Sequence, residues 1–201
     1  MRNQVFYSFN LEYFQDAQLA EQLLPVARKF LSEDDKLTNE WGYKNTYTND
    51  YGLSTDPDLK VFVDLILKNA EKFLDKQGIR LKKNLKLWVS LFASEMTKND
   101  EHTSHCHSGA LLSGLIYLKV PPNSARLEFI SPRYRNTAWT NCLDETSYSN
   151  ATELFKVKSN HIIEVQPVEG LFLLWESWAL HRVPVNPTDS RITLVFNVGA
   201  E

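Results

Sequence analysis

Apolar positions along the chain shift from helical to strand spacing near residue 80. From about Asp16 to Leu31, the apolar residues Leu19, Leu23, Val26, Ala27 and Phe30 recur at helical spacing, the mark of a helix with one buried face. Pro25 interrupts that stripe. Its missing N–H and its ring predict two helical pieces or a kink. A second stripe, Val61, Phe62, Leu65, Ile66, Ala70, Phe73 and Leu74, begins after Thr55-Asp56-Pro57 and ends before Gly78. Asp56 suits the N-cap, and Pro57 suits the first helical position, where no backbone donor is needed. Residues 38–57, rich in Asn, Thr, Tyr and Gly, read as a long loop anchored by Trp41, Tyr43, Tyr47 and Tyr51. Ahead of the first helix, Val5 to Phe9 reads as a strand at the edge of a sheet.

Beyond Gly78 the chain reads as β. Strands are expected over Leu85 to Met96, Ala110 to Val120, Arg126 to Ile130, Phe155 to Lys158, His161 to Val165, Leu171 to Trp175 and Arg191 to Val198. Pro121-Pro122 ends the second of these, and Pro167 to Gly170 forms a turn. A polar loop spans Thr97 to Thr103. A longer irregular stretch, 131–154, carries Arg133, Arg135, Trp139 and Tyr148, and loops of that length are usually functional or mobile. Short successive strands predict an antiparallel sandwich or barrel, buttressed by two N-terminal helices. The fold class is α+β. With no repeat or second core in view, 1–201 reads as one domain: 1–80 as helical support and 81–201 as the catalytic β core.

The last strand is the most informative chemically. Ile192, Leu194, Phe196 and Val198 form a wholly apolar face, suited to packing against helices. The opposite face holds Arg191, Thr193, Val195 and Asn197. Polar groups facing inward are costly without partners, and a ligand-filled pocket would supply them. Leu111-Ser113-Leu115-Tyr117 repeats the pattern more mildly. His105 and His107 form an i, i+2 pair that an extended backbone would place on one face. With His181 from a distant strand they would give three imidazoles around a metal and leave its far side open, as a catalytic site requires. Cys106, between them, points the other way and reads as core. His102 reads as solvated or as the neighbour of a ligand, and His161 as structural. Trp175 and Trp178 read as core or pocket wall, and Glu176 has no assigned role.

Composition narrows the function classes. The net charge is −3 and no Lys/Arg block appears, so nucleic acid is not an expected partner. Met1 to Asn10 lacks the apolar core of a signal peptide, and no run approaches membrane-spanning length. Cys106 and Cys142 make no disulfide framework. A cytoplasmic protein without a membrane partner is the expectation. An exposed N-terminal edge strand could pair two copies into a homodimer.

Taken jointly, His105-x-His107, Ser113-Gly114-Leu115-Ile116-Tyr117-Leu118, Pro132-Arg133, the run from Pro167 through Gly170-Leu171-Phe172-Leu173-Leu174-Trp175 to Leu180-His181, and Arg191 to Val198 resemble a known family. It is the 2-oxoglutarate/Fe(II) oxygenases of bacteria and phages, which are similar to prolyl hydroxylases. The resemblance covers roughly 85–199. It implies a double-stranded β-helix (jelly-roll, cupin-like) core, with Fe(II) as metal, 2-oxoglutarate as co-substrate and O2 as oxidant. By resemblance His105 and His181 are the outer histidines of the triad. Arg191 would hold the distal carboxylate of 2-oxoglutarate in a bidentate pair, with Thr193 donating to the same group. Tyr117, Ser113 and Asn197 are further co-substrate candidates.

The superfamily has a carboxylate where this chain has His107. Either His107 ligates and the triad is neutral, one unit more positive than usual, or water or a remote carboxylate such as Glu128 takes its place. The implied reaction is hydroxylation of an aliphatic C–H in an amino acid, peptidyl residue or small metabolite, with release of succinate and CO2. The 131–154 stretch would serve as lid or substrate loop. Two rival readings remain. A cupin-like three-histidine dioxygenase without 2-oxoglutarate leaves Arg191 and Thr193 unexplained. A non-catalytic jelly-roll module binding a small acid would release no succinate.

Overall fold

The first apolar stripe forms helix α1, Ala17–Leu31, capped by Asp16, whose Oδ1 accepts from the Leu19 N–H at 3.0 Å. It is a single helix through Pro25. Pro25 is exposed, and Ala20, Leu23, Ala27 and Phe30 are buried on either side of it, so both halves sit on one apolar seat. The carbonyl that loses its partner lies on the solvent side. Helix α2, Lys60–Lys76, follows a 3-10 turn at Pro57–Leu59, where the Asp56 carboxylate accepts from the Asp58 N–H at 2.8 Å. Its buried face is Phe62, Ile66, Ala70, Phe73 and Leu74; Val61, placed in that stripe by periodicity, is 77% exposed.

The computed structural model describes residues 1–6, 9–33, 42–47, 53–130, 153–159 and 162–201. Among them are twelve strands: β1 Arg2–Phe6, β2 Phe9–Gln15, β3 Lys44–Asn45, β4 Leu87–Met96, β5 His102–His105, β6 Leu112–Lys119, β7 Leu127–Ile130, β8 Phe155–Ser159, β9 Ile162–Val165, β10 Leu171–Glu176, β11 His181–Val183 and β12 Arg191–Ala200. They form two antiparallel sheets, in the orders β1-β2-β10-β6-β12-β4-β3 and β5-β11-β7-β9-β8. This is the jelly roll. Instead of one strand over Val5 to Phe9, β1 ends at Phe6 and β2 returns antiparallel from Phe9 to lie beside β10. The N-terminal part therefore adds strands as well as helices, and β1 is the outermost strand of the larger sheet.

Alternation along the strands separates two cores. Ile192, Leu194, Phe196 and Val198 of β12 pack with Leu112, Ile116 and Leu118 of β6, with Phe172 and Leu174 of β10, and with both helices. Leu115, Tyr117, Leu171, Leu173 and Trp175 point the other way, toward Leu127, Phe129, Ile163 and Val165 of the smaller sheet. That second core is where the polar face of β12 is enclosed. Trp178, by contrast, is 48% exposed and belongs to neither core, because it sits in the turn before β11 rather than on a strand.

Gly114 sits where β6 passes beneath Phe196. A Cβ there would overlap the Phe196 ring and the Leu173 carbonyl. Gly114→Ala is expected to cost about 1–3 kcal/mol through overpacking. A urea or thermal unfolding curve beside that of the wild type checks this, and an unchanged midpoint would show that the ring and the β10 backbone both move aside freely.

Candidate metal and co-substrate site

Antiparallel pairing of β5 with β11 sets His105 directly opposite His181. His107 lies two residues past the end of β5, held by its backbone N–H donating to the Ser177 carbonyl at 2.9 Å. The i, i+2 strand parity therefore does not describe His107, although its ring still joins the other two. Ring centroids lie 4.3 Å apart for His105–His181, 5.1 Å for His107–His181 and 5.2 Å for His105–His107. One nitrogen from each ring lies within 4.8 Å of the others.

Each ring is held by its Nδ1. The partners are the Thr103 carbonyl for His105 at 2.8 Å, the Ala179 carbonyl for His181 at 2.8 Å, and Asn197 Oδ1 for His107 at 2.6 Å. Oxygen acceptors fix the proton on Nδ1 and leave the Nε2 lone pair free, the usual arrangement for a ligating histidine. His107 Nε2 is buried with no hydrogen-bond partner. Burial pushes all three imidazoles below their usual range, with His107 lowered to about 4, so they are neutral near pH 7. Three neutral imidazoles with free, converging lone pairs fit a divalent transition metal.

Arg191 opens β12 and is only 4% exposed. Its Nη1 donates to the Ala125 carbonyl at 2.7 Å and its Nη2 contacts the Met96 thioether at 2.6 Å, a weak acceptor. Nε is buried without a partner, and among the described residues no carboxylate pairs with this guanidinium. A buried, unpaired cation is costly, so the arrangement calls for an anion. Thr193 and Arg191 line the same cavity as His105, His107 and His181. The Tyr117 hydroxyl is buried without a partner, and Arg191 Cζ lies 5.8 Å from the Tyr117 ring centre. Ser113 and Asn197 meet beside His107: the Ser113 hydroxyl donates to Asn197 Oδ1 at 2.8 Å, and the same oxygen accepts from His107 Nδ1 at 2.6 Å, while Asn197 also lines the outer cavity.

The sequence model of the family described as "Putative 2OG-Fe(II) oxygenase" matches residues 87–197. The chain belongs to this family. No curated protein matches the oxygenase by sequence. Among solved structures it is similar to a Pseudomonas putida prolyl-4-hydroxylase, at 13% identity and TM-score 0.63 over 96% of this chain and 93% of that one. It is also similar to the non-heme alpha ketoglutarate dependent epimerase SnoN from nogalamycin biosynthesis, at 15% identity and TM-score 0.63 over 94% and 79%. A third similar structure is a Trichoplax adhaerens prolyl hydroxylase in complex with a hypoxia inducible factor peptide, at 10% identity and TM-score 0.60 over 94% and 83%. These likenesses establish the fold. Among the described residues of the oxygenase, no helix is long and apolar enough to cross a membrane.

Several neighbours of the oxygenase site depart from the sequence reading. Cys106 is exposed rather than core, because β5 has ended before it and strand alternation no longer applies. Glu128 is fully buried, with its Oε2 2.6 Å from Arg182 Nε, on the face of β7 opposite Phe129, which packs on His181. It therefore cannot replace His107. His102 lies on β5 rather than in a loop and stacks on His105 at 3.7 Å and against Tyr43 at 4.7 Å, as the neighbour of a ligand would. Glu176, given no role, accepts from the Asn10 N–H at 2.9 Å and ties β10 to β2. Trp175 is pocket wall, edge-on to His181 at 5.2 Å. Tyr43, Tyr47 and Phe92 face the His105–Ser108 segment across an outer cavity. Tyr43 and Tyr47 carried a loop-anchor signal only, and Phe92 carried no signal. Trp41, Tyr51, Arg133, Arg135, Trp139, Cys142, Tyr148, His161 and residues 131–152 of the 131–154 stretch expected as a lid lie outside the described residues.

The four clustered imidazoles give the metal-free protein a definite pH response. Burial lowers all four folded-state values below 6.5, to about 3 for His102 and about 4 for His107, so the unfolded chain binds more protons below pH 6.5. The histidines' contribution to stability is level above that value and falls with pH down through about 3. Urea midpoints of the metal-free protein at about pH 7.5 and about pH 5 check this, and equal midpoints would show that the histidines do not titrate with folding.

Proposed function

We propose that this oxygenase is an Fe(II)- and 2-oxoglutarate-dependent hydroxylase acting on an aliphatic C–H of an amino acid, a peptidyl residue or a small metabolite. The carrying observation is one cavity that joins three neutral imidazoles, their Nδ1 atoms already satisfied, to a buried guanidinium without an anion. His105, His107 and His181 would hold Fe(II) through Nε2. Arg191 would take the distal carboxylate of 2-oxoglutarate, with Thr193 beside it and the Tyr117 hydroxyl within the same surroundings. Bound together, Fe(II), 2-oxoglutarate and O2 supply the oxidant for an unactivated C–H, with succinate and CO2 as co-products.

The protein's share is orientation and exclusion of water. His102 stacks on His105 and limits its rotation. Trp175, Phe129 and Leu115 pack around the histidines and keep the inner cavity largely apolar between its two polar ends. With three neutral ligands the metal keeps one more unit of positive charge than a site with a carboxylate, which strengthens its hold on the anionic co-substrate. Tyr43, Tyr47 and Phe92 form the approach for substrate. The prolyl hydroxylases among the structural neighbours support a peptidyl substrate, and the epimerase supports a small metabolite. A single cytoplasmic domain that pairs with a second copy through β1, the outermost of the described strands in its sheet, completes the proposal.

The test is anaerobic addition of Fe(II) and 2-oxoglutarate, read by the weak visible charge-transfer band of an iron-chelated oxoacid. The band, followed by succinate on admission of air and substrate, is the expected result. Iron binding without the band favours the three-histidine dioxygenase that uses no oxoacid. Oxoacid binding without any metal favours the non-catalytic module.

A further inference from the structure

We infer that Asn197, braced by Ser113, is the positioning residue that makes His107 a metal ligand. The inference rests on the reading of His105, His107 and His181 as the iron site.

The three histidines are oriented by different means. His105 and His181 lie on paired strands and donate from Nδ1 to carbonyls only two residues away, Thr103 and Ala179. Those acceptors are backbone atoms, present whatever the side chains. His107 is past the end of β5 and has no strand ladder to fix its ring. Its Nδ1 partner is the side chain of a residue ninety positions later, Asn197 Oδ1 at 2.6 Å. Asn197 is cross-strand partner to Ser113 in the β6–β12 register, and both are buried. The Ser113 hydroxyl reaches the same Oδ1 at 2.8 Å.

Both donors meet one oxygen, so the amide presents its acceptor to His107; turned over, it would set its NH2 group against His107 Nδ1 and remove that acceptor. A fixed oxygen cannot donate, so His107 carries its proton on Nδ1 and its lone pair on Nε2, the atom that is buried and unpartnered. An amide does this without adding charge. The ligand set stays neutral where an aspartate at 197 would make the ring a stronger donor and the site less positive.

Co(II) is the probe, titrated with 2-oxoglutarate present and followed by its visible d–d bands. Asn197→Leu is expected to weaken Co(II) binding about 10- to 100-fold, the usual cost of losing the hydrogen-bond partner of a ligating histidine. It should also alter the band pattern toward that of His107→Ala. Asn197→Asp, which keeps an acceptor oxygen in place, should restore the affinity and the three-imidazole band pattern, with the bands displaced by the stronger donor ring, and its thermal midpoint shows whether the fold tolerates change at 197. In the His107→Ala background, Asn197→Leu should have no further effect, because its route to the metal is gone. Equal losses in both backgrounds, or wild-type affinity and spectrum in Asn197→Leu, would overturn the inference while leaving the iron site standing. Failure of the wild type to bind Co(II) or Fe(II) would instead remove the iron site itself.

Discussion

Arg191→Met is expected to raise the dissociation constant for 2-oxoglutarate by roughly 30-fold or more, while Fe(II) binding stays close to that of the wild type. Truncating one partner of a buried, hydrogen-bonded charge pair typically costs about 2–5 kcal/mol, and each 1.4 kcal/mol or so is a factor of ten. The guanidinium is well placed for that role. The Ala125 carbonyl anchors Nη1, the Met96 sulfur is the weak partner of Nη2, and Nε is unpartnered, so donors remain for a carboxylate. Methionine has a similar length and no charge, and replacing a buried, unpaired cation by an apolar side chain is often neutral or stabilising. The thermal midpoint of the ligand-free variant should therefore hold or rise, which separates lost binding from lost fold. Lysine should not rescue, since an ammonium cannot reproduce the planar fork. The charge-transfer titration gives the affinity, and an unchanged 2-oxoglutarate constant in Arg191→Met would sink the assignment of Arg191.

How far the sequence carries depends on whether a residue's surroundings are local. The face of β12 that packs on the helices and the face that lines the cavity follow from alternation alone, and so do the two faces of β6. The cap at Asp56 follows from residue type. Strand β2 also alternates, with Phe9, Leu11 and Tyr13 inward, but Glu12 on its other face is almost wholly buried because Lys76 from α2 reaches it at 2.6 Å. That partner is 64 residues away and leaves no local signal. The site shows the same division. Parity brought Arg191, Thr193, Ser113 and Asn197 to the inward side, yet parity cannot say whether a buried amide meets a ligand or a histidine. Only the 2.6 Å contact to His107 decides that. Alternation places Cys106 and His107 on a strand, but β5 ends at His105, ahead of both. A strand end set by pairing with β11 is tertiary information, as is the exposure of Trp178.

His181→Ala is expected to abolish stable metal binding and, with it, the stabilisation that metal confers on the fold. Its effect should exceed that of losing Asn197, because a ligand atom is removed rather than oriented. His181 is the most enclosed of the three, on a strand flanked by β5 and β7 and between Trp175 and Phe129, with its Nδ1 fixed to Ala179. No described carboxylate stands near enough to substitute, since Glu128 is held on the opposite face by Arg182. Linkage supplies a readout that does not depend on turnover. At a metal concentration about 100 times its dissociation constant, binding to the folded state alone adds about 2.7 kcal/mol. For a chain of this size, each kcal/mol moves the thermal midpoint by roughly 2–4 °C. The wild type should show that rise with Fe(II) under anaerobic conditions, and His181→Ala should show none at the same metal concentration. The metal-free variant has lost one imidazole that resists protonation when buried, so its stability should fall less steeply between about pH 6.5 and about pH 4. A metal-induced rise in His181→Ala equal to that of the wild type would place the metal elsewhere and undo the three-histidine site.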